Sequence, residues 1–318
     1  MSTKHLVDPE LAAILAYIPS SPLTIEALST IRAMSAAPHV IASRTDDLSI
    51  SEHYVLGPEG SPEVRLLVYL PAAVQAPVPA LLWLHGGGYV MGSADAEDAM
   101  AKALVSELGC AVAVVDYRLA PETPYPGPVE DCYAALKWLA AQAGEMGIDP
   151  ARIAGGGSSA GGGLSAALTL LARDRGEVSI AFQCLLAPML DDRTCTKAES
   201  NPYTGEFIWT PQANRVGWMA LLGQEPGGSA VSPYAAPARA ENLAGLPPTF
   251  LYVGAIDLFV DEDIDYAHRL IRAGVPTELH VYPGAYHGFR MVANAQVTQS
   301  ALRDQVNALK RAFGRSEA

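Results

Sequence analysis

Apolar residues change their period several times along this chain, and the changes mark the elements. Residues 1 to about 45 carry helix-like spacing. Asp8 can cap a first helix running to Tyr17, and Ser21-Pro22, a capping residue followed by proline, can open a second. Strand-like patterns follow. "EHYVL" (52–56) and "EVRLLVYLP" (63–71) flank the turn "GPEGSP". "ALLWLH" (80–85) and "AVAVVDY" (111–117) are near-continuous apolar runs, the mark of strands covered on both faces. Residues 95–108 have helical character, and Val129, Cys132, Tyr133, Leu136 and Leu139 predict a helix over 128–142. "RIAG" (152–155), "IAFQCLLAP" (180–188), "TFLYVG" (249–254) and "TELHVYP" (277–283) complete a set of eight strands. Helices are expected after 160, at 261–273 ending at Gly274, and at 296–313. Strands alternating with helices predict an α/β fold with a mainly parallel sheet, opened by an antiparallel pair. Residues 191–232 show no strand pattern and read as an excursion from the sheet. The expected division is therefore 1–45 outside the core, 46–190 and 233–318 as two parts of the core, and 191–232 as the excursion.

Composition narrows the partners. Twenty-one basic against 34 acidic side chains leave a net charge of −13, which argues against nucleic acid and anionic membranes. The apolar share of 50% is enough for a large core. Cys110, Cys132, Cys184 and Cys195 show no metal spacing and read as reduced thiols of a cytoplasmic protein, with no metal expected. No run reaches the roughly 18 apolar residues of a membrane span, and "LAAILAYI" lacks the basic flank of a signal peptide.

Candidate chemistry centres on "ARIAGGGSSAGGGLSAAL" (151–168), with six glycines and two adjacent serines between a strand and a helix. A strand that turns at once into a helix forces one residue into a strained conformation and projects its side chain beyond the sheet. Neighbours two positions away must then be small, which is the G-x-S-x-G pattern. Ser159 has Gly157 and Gly161 at those positions, whereas Ser158 has Gly156 and Ala160. Ser159 is the candidate nucleophile. The competing readings are a phosphate loop, which lacks its lysine, and a dinucleotide fingerprint, which lacks its acidic partner.

A serine hydroxyl needs a base. Of seven histidines, His287 in "YPGAYHGF" follows the last strand, at the carboxyl edge where Ser159 is expected. His85 lies in "HGGG", His268 on a helix surface, and His5, His39 and His53 away from that edge. The base needs an orienting acid. Asp257 stands just past a strand end, with Asp261 as the alternative and a candidate helix cap. "HGGGY" (85–89) can present backbone amides to a developing oxyanion, with Gly86, Gly87 and Ala160 as donors.

Together "LHGGGYVMGS", "VVDYRLAPETPYPGPVEDCYAALKWL", "RIAGGGSSAGG", "DLFVDE" and "HGF" resemble the hormone-sensitive-lipase family of α/β-hydrolases, the microbial family IV esterases. The resemblance covers about 55–190 and 247–290. It implies an α/β-hydrolase fold and a carboxylesterase acting on short- to medium-chain acyl esters through an acyl-enzyme, without cofactor. It also implies a helical cap built from residues 1–45 and 191–232, and family members are often homodimers. The run from Asp116 to Glu122 matches a family hallmark and reads as a structural turn fixed by Asp116 and Arg118. The residue before the nucleophile is commonly Asp or Thr in this family; here it is Ser158.

Candidate substrate-binding residues are Gly88, Tyr89, Ser158, Phe207, Trp209 and Trp218. Ile208, Met219, Leu221, Leu222 and Tyr17 are further apolar candidates, and a small core internal to the cap is the competing role. An amidase or peptidase on the same fold remains open. So does a non-catalytic small-molecule binder, as in plant gibberellin receptors, which lack the histidine; here Ser159, Asp257 and His287 are all present.

Overall fold

The computed structural model describes all residues except 1, 19–21, 46, 59, 74–76, 195, 197–200 and 315–318. The N-terminal segment holds α1 (Pro9–Ala12), continued by a 3-10 turn over Ala13–Tyr17, and α2 (Leu28–Met34). Asp8 caps α1, its carboxylate accepting from the Glu10 amide at 2.8 Å. The second helix starts later than Ser21-Pro22 predicts. Ser21 lies outside the described residues, and Thr24 Oγ accepts from the Ala27 amide (3.3 Å) in a turn that precedes Leu28.

Nine strands form one sheet: β1 (Ser43–Arg44), β2 (Leu48–Val55), β3 (Val64–Pro71), β4 (Val78–Leu84), β5 (Ala111–Asp116), β6 (Ile148–Ser158), β7 (Phe182–Leu186), β8 (Thr249–Gly254) and β9 (Thr277–Tyr282). Their spatial order is β1-β2-β3-β5-β4-β6-β7-β8-β9. The eight expected strands gain β1, a two-residue pairing of Ser43–Arg44 with Ile50 and Ser49 that is too short to show a period. β1, β2 and β3 are antiparallel to their neighbours, and β4 to β9 run parallel. β6 is longer than "RIAG". Val78 pairs with Ile148 before the register shifts, and the glycines carry the strand on to Ser158.

The remaining helices are α3 (Asp98–Leu108), α4 (Gly127–Gln142), α5 (Ala160–Arg175), α6 (Pro211–Leu222), α7 (Val260–Arg272) and α8 (Gln296–Ala312). Leu104, Val105 and Leu108 of α3 join Ala301 and Leu309 of α8 in one core. Leu136 and Leu139 of α4 join Leu164, Leu168 and Leu171 of α5 in another, and Tyr266 and Leu270 of α7 pack with Leu170 in a third. Covered on both faces, Leu81 to Leu84 and Val112 to Val115 are at most 1% exposed, which explains their unbroken apolar sequence. Residues 201–232 contain α6 and no strand. Among the described residues, no helix is long and apolar enough to cross a membrane.

The expected turn at the "DYRLAPE" run is built from ion pairs. The Asp116 carboxylate accepts from the Ala94 amide and from Arg65, and Arg118 forks onto buried Asp131 at 2.6 and 2.8 Å. Arg32 of α2 donates to Glu122 and to the Val90 and Ala120 carbonyls, tying the N-terminal segment to this turn. Cys110, Cys132 and Cys184 are buried, and burial raises the Cys184 thiol to about 12. Cys195 lies outside the described residues.

Candidate active site

β6 ends at Ser158 and α5 begins at Ala160, so one residue turns the chain. That residue is Ser159, with φ +56° and ψ −122°. Such a conformation costs a side-chain-bearing residue about 1–3 kcal/mol. Hydrogen bonds hold it there: the Ser159 amide donates to the Leu186 carbonyl (2.8 Å), and its own carbonyl accepts from the Gly163 and Met189 amides (both 3.0 Å). The flanking glycines are sterically required. A Cβ on Gly161 would stand 2.0 Å from the Leu84 carbonyl oxygen, and one on Gly157 2.4 Å from Gly161.

The other groups arrive from the carboxyl ends of β8 and β9. Asp257 follows β8 and His287 follows β9. His287 Nδ1 lies 2.8 Å from Asp257 Oδ2, and Nε2 lies 2.9 Å from Ser159 Oγ. Asp257 is 1% exposed and His287 7%. The second carboxylate oxygen of Asp257 accepts from the Phe259 amide (3.0 Å), and the Phe259 ring meets the imidazole edge-on at 5.0 Å. Asp261 takes neither expected part. α7 starts at Val260, so Asp261 sits inside its first turn, exposed, accepting from Asn201.

The "HGGG" loop lies beside this row. A Cβ on Gly86 would stand 3.5 Å from Ser159 Cβ and 3.2 Å from Ser158 Oγ, so both serines touch this loop. His85 is buried and stacks on Tyr117 at 4.1 Å, and its Nδ1 lies 2.8 Å from the Gly86 carbonyl oxygen. Burial lowers the imidazole pKa and keeps the ring neutral. Facing a carbonyl, Nδ1 must carry the proton. The C=O of Gly86 and the N–H of Gly87 share one planar trans peptide and point oppositely, so this bond aims the Gly87 amide away from His85. Among the described residues no acceptor engages the amides of Gly86, Gly87 or Ala160.

Backbone strain concentrates here. The described non-glycine residues with positive φ are Tyr89, Ser159, Ala187 and Ile208. Tyr89 follows the glycine loop, Ala187 follows β7 beside Ser159, and Ile208 precedes Trp209.

The expected substrate contacts divide. Trp209 lies against Gly88, with its ring 6.3 Å from that of His287. Phe207 is partly buried against Tyr286. Tyr89 and Trp218, candidates to face substrate, are both 0% exposed. Their rings pack at 5.3 Å, and the Tyr89 hydroxyl donates to the Met189 carbonyl. Tyr17 is 85% exposed, at the end of its 3-10 turn.

Sequence reasoning missed Glu262. It is buried on α7 and accepts from the Leu190 and Asp191 amides (2.6 and 3.2 Å) and from the Thr194 hydroxyl. It thereby joins the segment leaving β7 to the helix that follows Asp257. Burial raises its carboxyl to about 8. An acid in a first helical turn normally reads as a solvated dipole partner, so only its tertiary surroundings distinguish it.

Known proteins share this arrangement of elements. A sequence model of the alpha/beta hydrolase fold matches residues 81–291. Carboxylesterase NlhH of Mycobacterium tuberculosis is 35% identical over 289 residues, covering 89% of this chain and 88% of that protein. Esterase LipI of the same organism is 36% identical over 293 residues, covering 90% and 88%. The solved structure of a bacterial heroin esterase superposes with a TM-score of 0.89 at 42% identity, covering 98% of this chain and 99% of that one.

Proposed function

We propose, for a chain that belongs to the hormone-sensitive-lipase-like family of α/β-hydrolases and is a carboxylic ester hydrolase, that Ser159 is its nucleophile, His287 its general base and acid, and Asp257 the orienting carboxylate. The observation that carries this reading is the unbroken hydrogen-bond row from Ser159 Oγ through His287 to Asp257. Asp257 holds the imidazole with Nδ1 protonated, which leaves the Nε2 lone pair facing the serine hydroxyl. Ser159 attacks the ester carbonyl as Nε2 takes its proton. The carbonyl oxygen becomes an oxyanion, and the amides of Gly86, Gly87 and Ala160 receive it. Loss of one such donor costs ~10²–10³ in turnover. His287 then protonates the leaving alkoxide, and water repeats the sequence on the acyl-enzyme. The nucleophile, the base, the orienting acid and the oxyanion donors of this cycle are all side chains or amides of the chain.

The substrates in this reading are small esters with short- to medium-chain acyl groups. Residues 1–45 and 191–232 act as two parts of one cap. In support, the Thr3 hydroxyl donates to Glu206 at 2.6 Å, and the Tyr125 amide, within the Asp116-to-Tyr125 turn region that Arg32 braces, donates to the Leu221 carbonyl at 2.7 Å. Ser158 contributes a hydroxyl beside Gly86 without entering the proton relay.

The test compares Ser159→Ala with Ser158→Ala on p-nitrophenyl acetate and the matching anilide. Ser159→Ala is expected to lose at least ~10³ in kcat. Ser158→Ala should keep most activity, and the ester should be the better substrate. Equal losses in the two variants would contradict the assignment of the nucleophile.

A further inference from the structure

The G-x-S-x-G pattern accounts for Gly157 and Gly161 but not for the two glycines that come next, Gly162 and Gly163. Their absent side chains let the segment leaving β7 lie directly on α5. A Cβ on Gly162 would stand 2.9 Å from Pro188 Cβ. One on Gly163 would stand 2.1 Å from the Met189 carbonyl oxygen and 2.6 Å from the Tyr89 hydroxyl oxygen. Only glycine admits so close a backbone approach. Gly163 therefore makes room for one particular bond, the Tyr89 hydroxyl donating to the Met189 carbonyl at 2.9 Å.

Three parts of the site meet at this segment. The Met189 amide donates to the Ser159 carbonyl at 3.0 Å, at the strained turn itself. The Met189 carbonyl accepts from Tyr89, the last residue of "HGGGY". The Leu190 amide donates to Glu262 Oε1 at 2.6 Å, on the helix that follows Asp257. The Met189 carbonyl and the Leu190 amide share one planar trans peptide and point oppositely. One peptide is thus gripped from two sides, by the oxyanion loop through Tyr89 and by α7 through Glu262. Tyr89, Met189, Leu190 and Glu262 are all buried, so each of these bonds is made away from water. Tyr89 is held at its other end too. Its φ is +67°, and its carbonyl accepts from the Ala120 amide at 2.9 Å.

Resting on the reading that Ser159 is the nucleophile and that the Gly86 and Gly87 amides receive the oxyanion, we propose that Tyr89 and Glu262 are positioning residues for the reaction. By gripping the Met189–Leu190 peptide from opposite sides, they fix the oxyanion loop relative to the nucleophile. Neither touches the reacting atoms. Release of either side lets the loop and the Ser159 turn shift against each other, and a misplacement on the order of 1 Å costs up to about 10²-fold in rate. The cost falls on kcat, because the oxyanion exists only beyond the ground state.

The test compares wild type, Tyr89→Phe, Glu262→Ala, Glu262→Gln and the double variant Tyr89→Phe/Glu262→Ala on p-nitrophenyl acetate, with active sites counted by fluorophosphonate titration. Each is also titrated with a trifluoromethyl ketone, whose carbonyl oxygen becomes an oxyanion when the serine adds to it. Tyr89→Phe keeps the ring against Trp218 and removes only the hydroxyl. It should lower kcat per active site about tenfold, leave KM within about twofold, and weaken the ketone in proportion to kcat. Glu262→Ala should do the same. Glu262→Gln, whose amide oxygen still accepts from Leu190, should stay within about threefold of wild type. Because both residues act on one peptide, the double variant should lose far less than the product of the single losses. If Glu262→Ala fails to fold, Tyr89→Phe decides alone. Unchanged kcat and ketone affinity in Tyr89→Phe, losses confined to KM, or a multiplicative double variant would overturn the proposal while the esterase reading stands. Absence of ester hydrolysis by the wild type would overturn both.

Discussion

Ser159 sits at the point where geometry useful for attack opposes the backbone's own preference. Its φ of +56° is one that L-residues avoid and glycine adopts freely, and it lifts Oγ clear of the sheet toward His287. Replacing it with glycine removes both the hydroxyl and the strain. Ser159→Gly should therefore abolish hydrolysis yet unfold at higher urea concentration, with a gain of about 1–3 kcal/mol less glycine's own entropic cost of roughly 0.5–1 kcal/mol. A clear loss of stability would show that the elbow is relaxed. His85 makes a related point without touching the reacting row. A buried neutral ring, stacked on Tyr117 and donating to the Gly86 carbonyl, orients a peptide whose other face carries an amide assigned to the oxyanion.

At the scale of elements, α7 collects buried acid. Asp263 is 0% exposed, neither of its carboxylate oxygens has a hydrogen-bond partner among the described residues, and burial together with Glu262 and Asp257 raises its carboxyl well above the ordinary 3.8. The folded protein therefore keeps a proton that the unfolded chain releases above about pH 4. For an acid whose folded pKa is raised, stability is greatest below the unfolded pKa and falls as pH rises, by about 1.4 kcal/mol per unit, until the folded pKa is reached. Asparagine has no proton to lose. Between pH 5 and pH 7, urea unfolding should show Asp263→Asn gaining on the wild type as pH rises, by at most about 1.4 kcal/mol for each pH unit. Parallel pH profiles would mean that Asp263 is ionised in the fold. The sequence shows this cluster only as three acids at a helix start. Periodicity tells which positions face inward, but not that an inward acid lacks a partner. β6 is a similar case: "RIAG" is legible as a strand, whereas the preceding Ile148 pairs with Val78 through an irregular register that no alternation reveals. Conversely, β4 and β5 are legible because burial on both faces leaves no position for a polar residue.

Across the whole molecule, three side chains separated by up to 128 residues converge at one rim because parallel strands share one carboxyl edge. That convergence was readable from strand ends alone: Ser159, Asp257 and His287 each follow a recognisable strand, and the glycine spacing selects between Ser158 and Ser159. The surroundings were not readable. The Asp8 amide donates to the Gly284 carbonyl and the Tyr286 hydroxyl to the Leu11 carbonyl, both at 3.0 Å, so the first helix braces the loop that carries His287. Main-chain contacts of this kind leave no trace in residue type. Tyr89 and Trp218 misled for a related reason, since large aromatics near a site serve packing as readily as binding, and here each fills the other's space. The central claim is that this distant row activates one serine. It is tested most directly by treating the native protein with a fluorophosphonate and locating the adduct by peptide mass spectrometry. The account predicts one adduct, on Ser159, formed at least ~10³-fold more slowly in His287→Ala, whose loss removes the base. An adduct on Ser158, or labelling of Ser159 at an unchanged rate without the histidine, would contradict it.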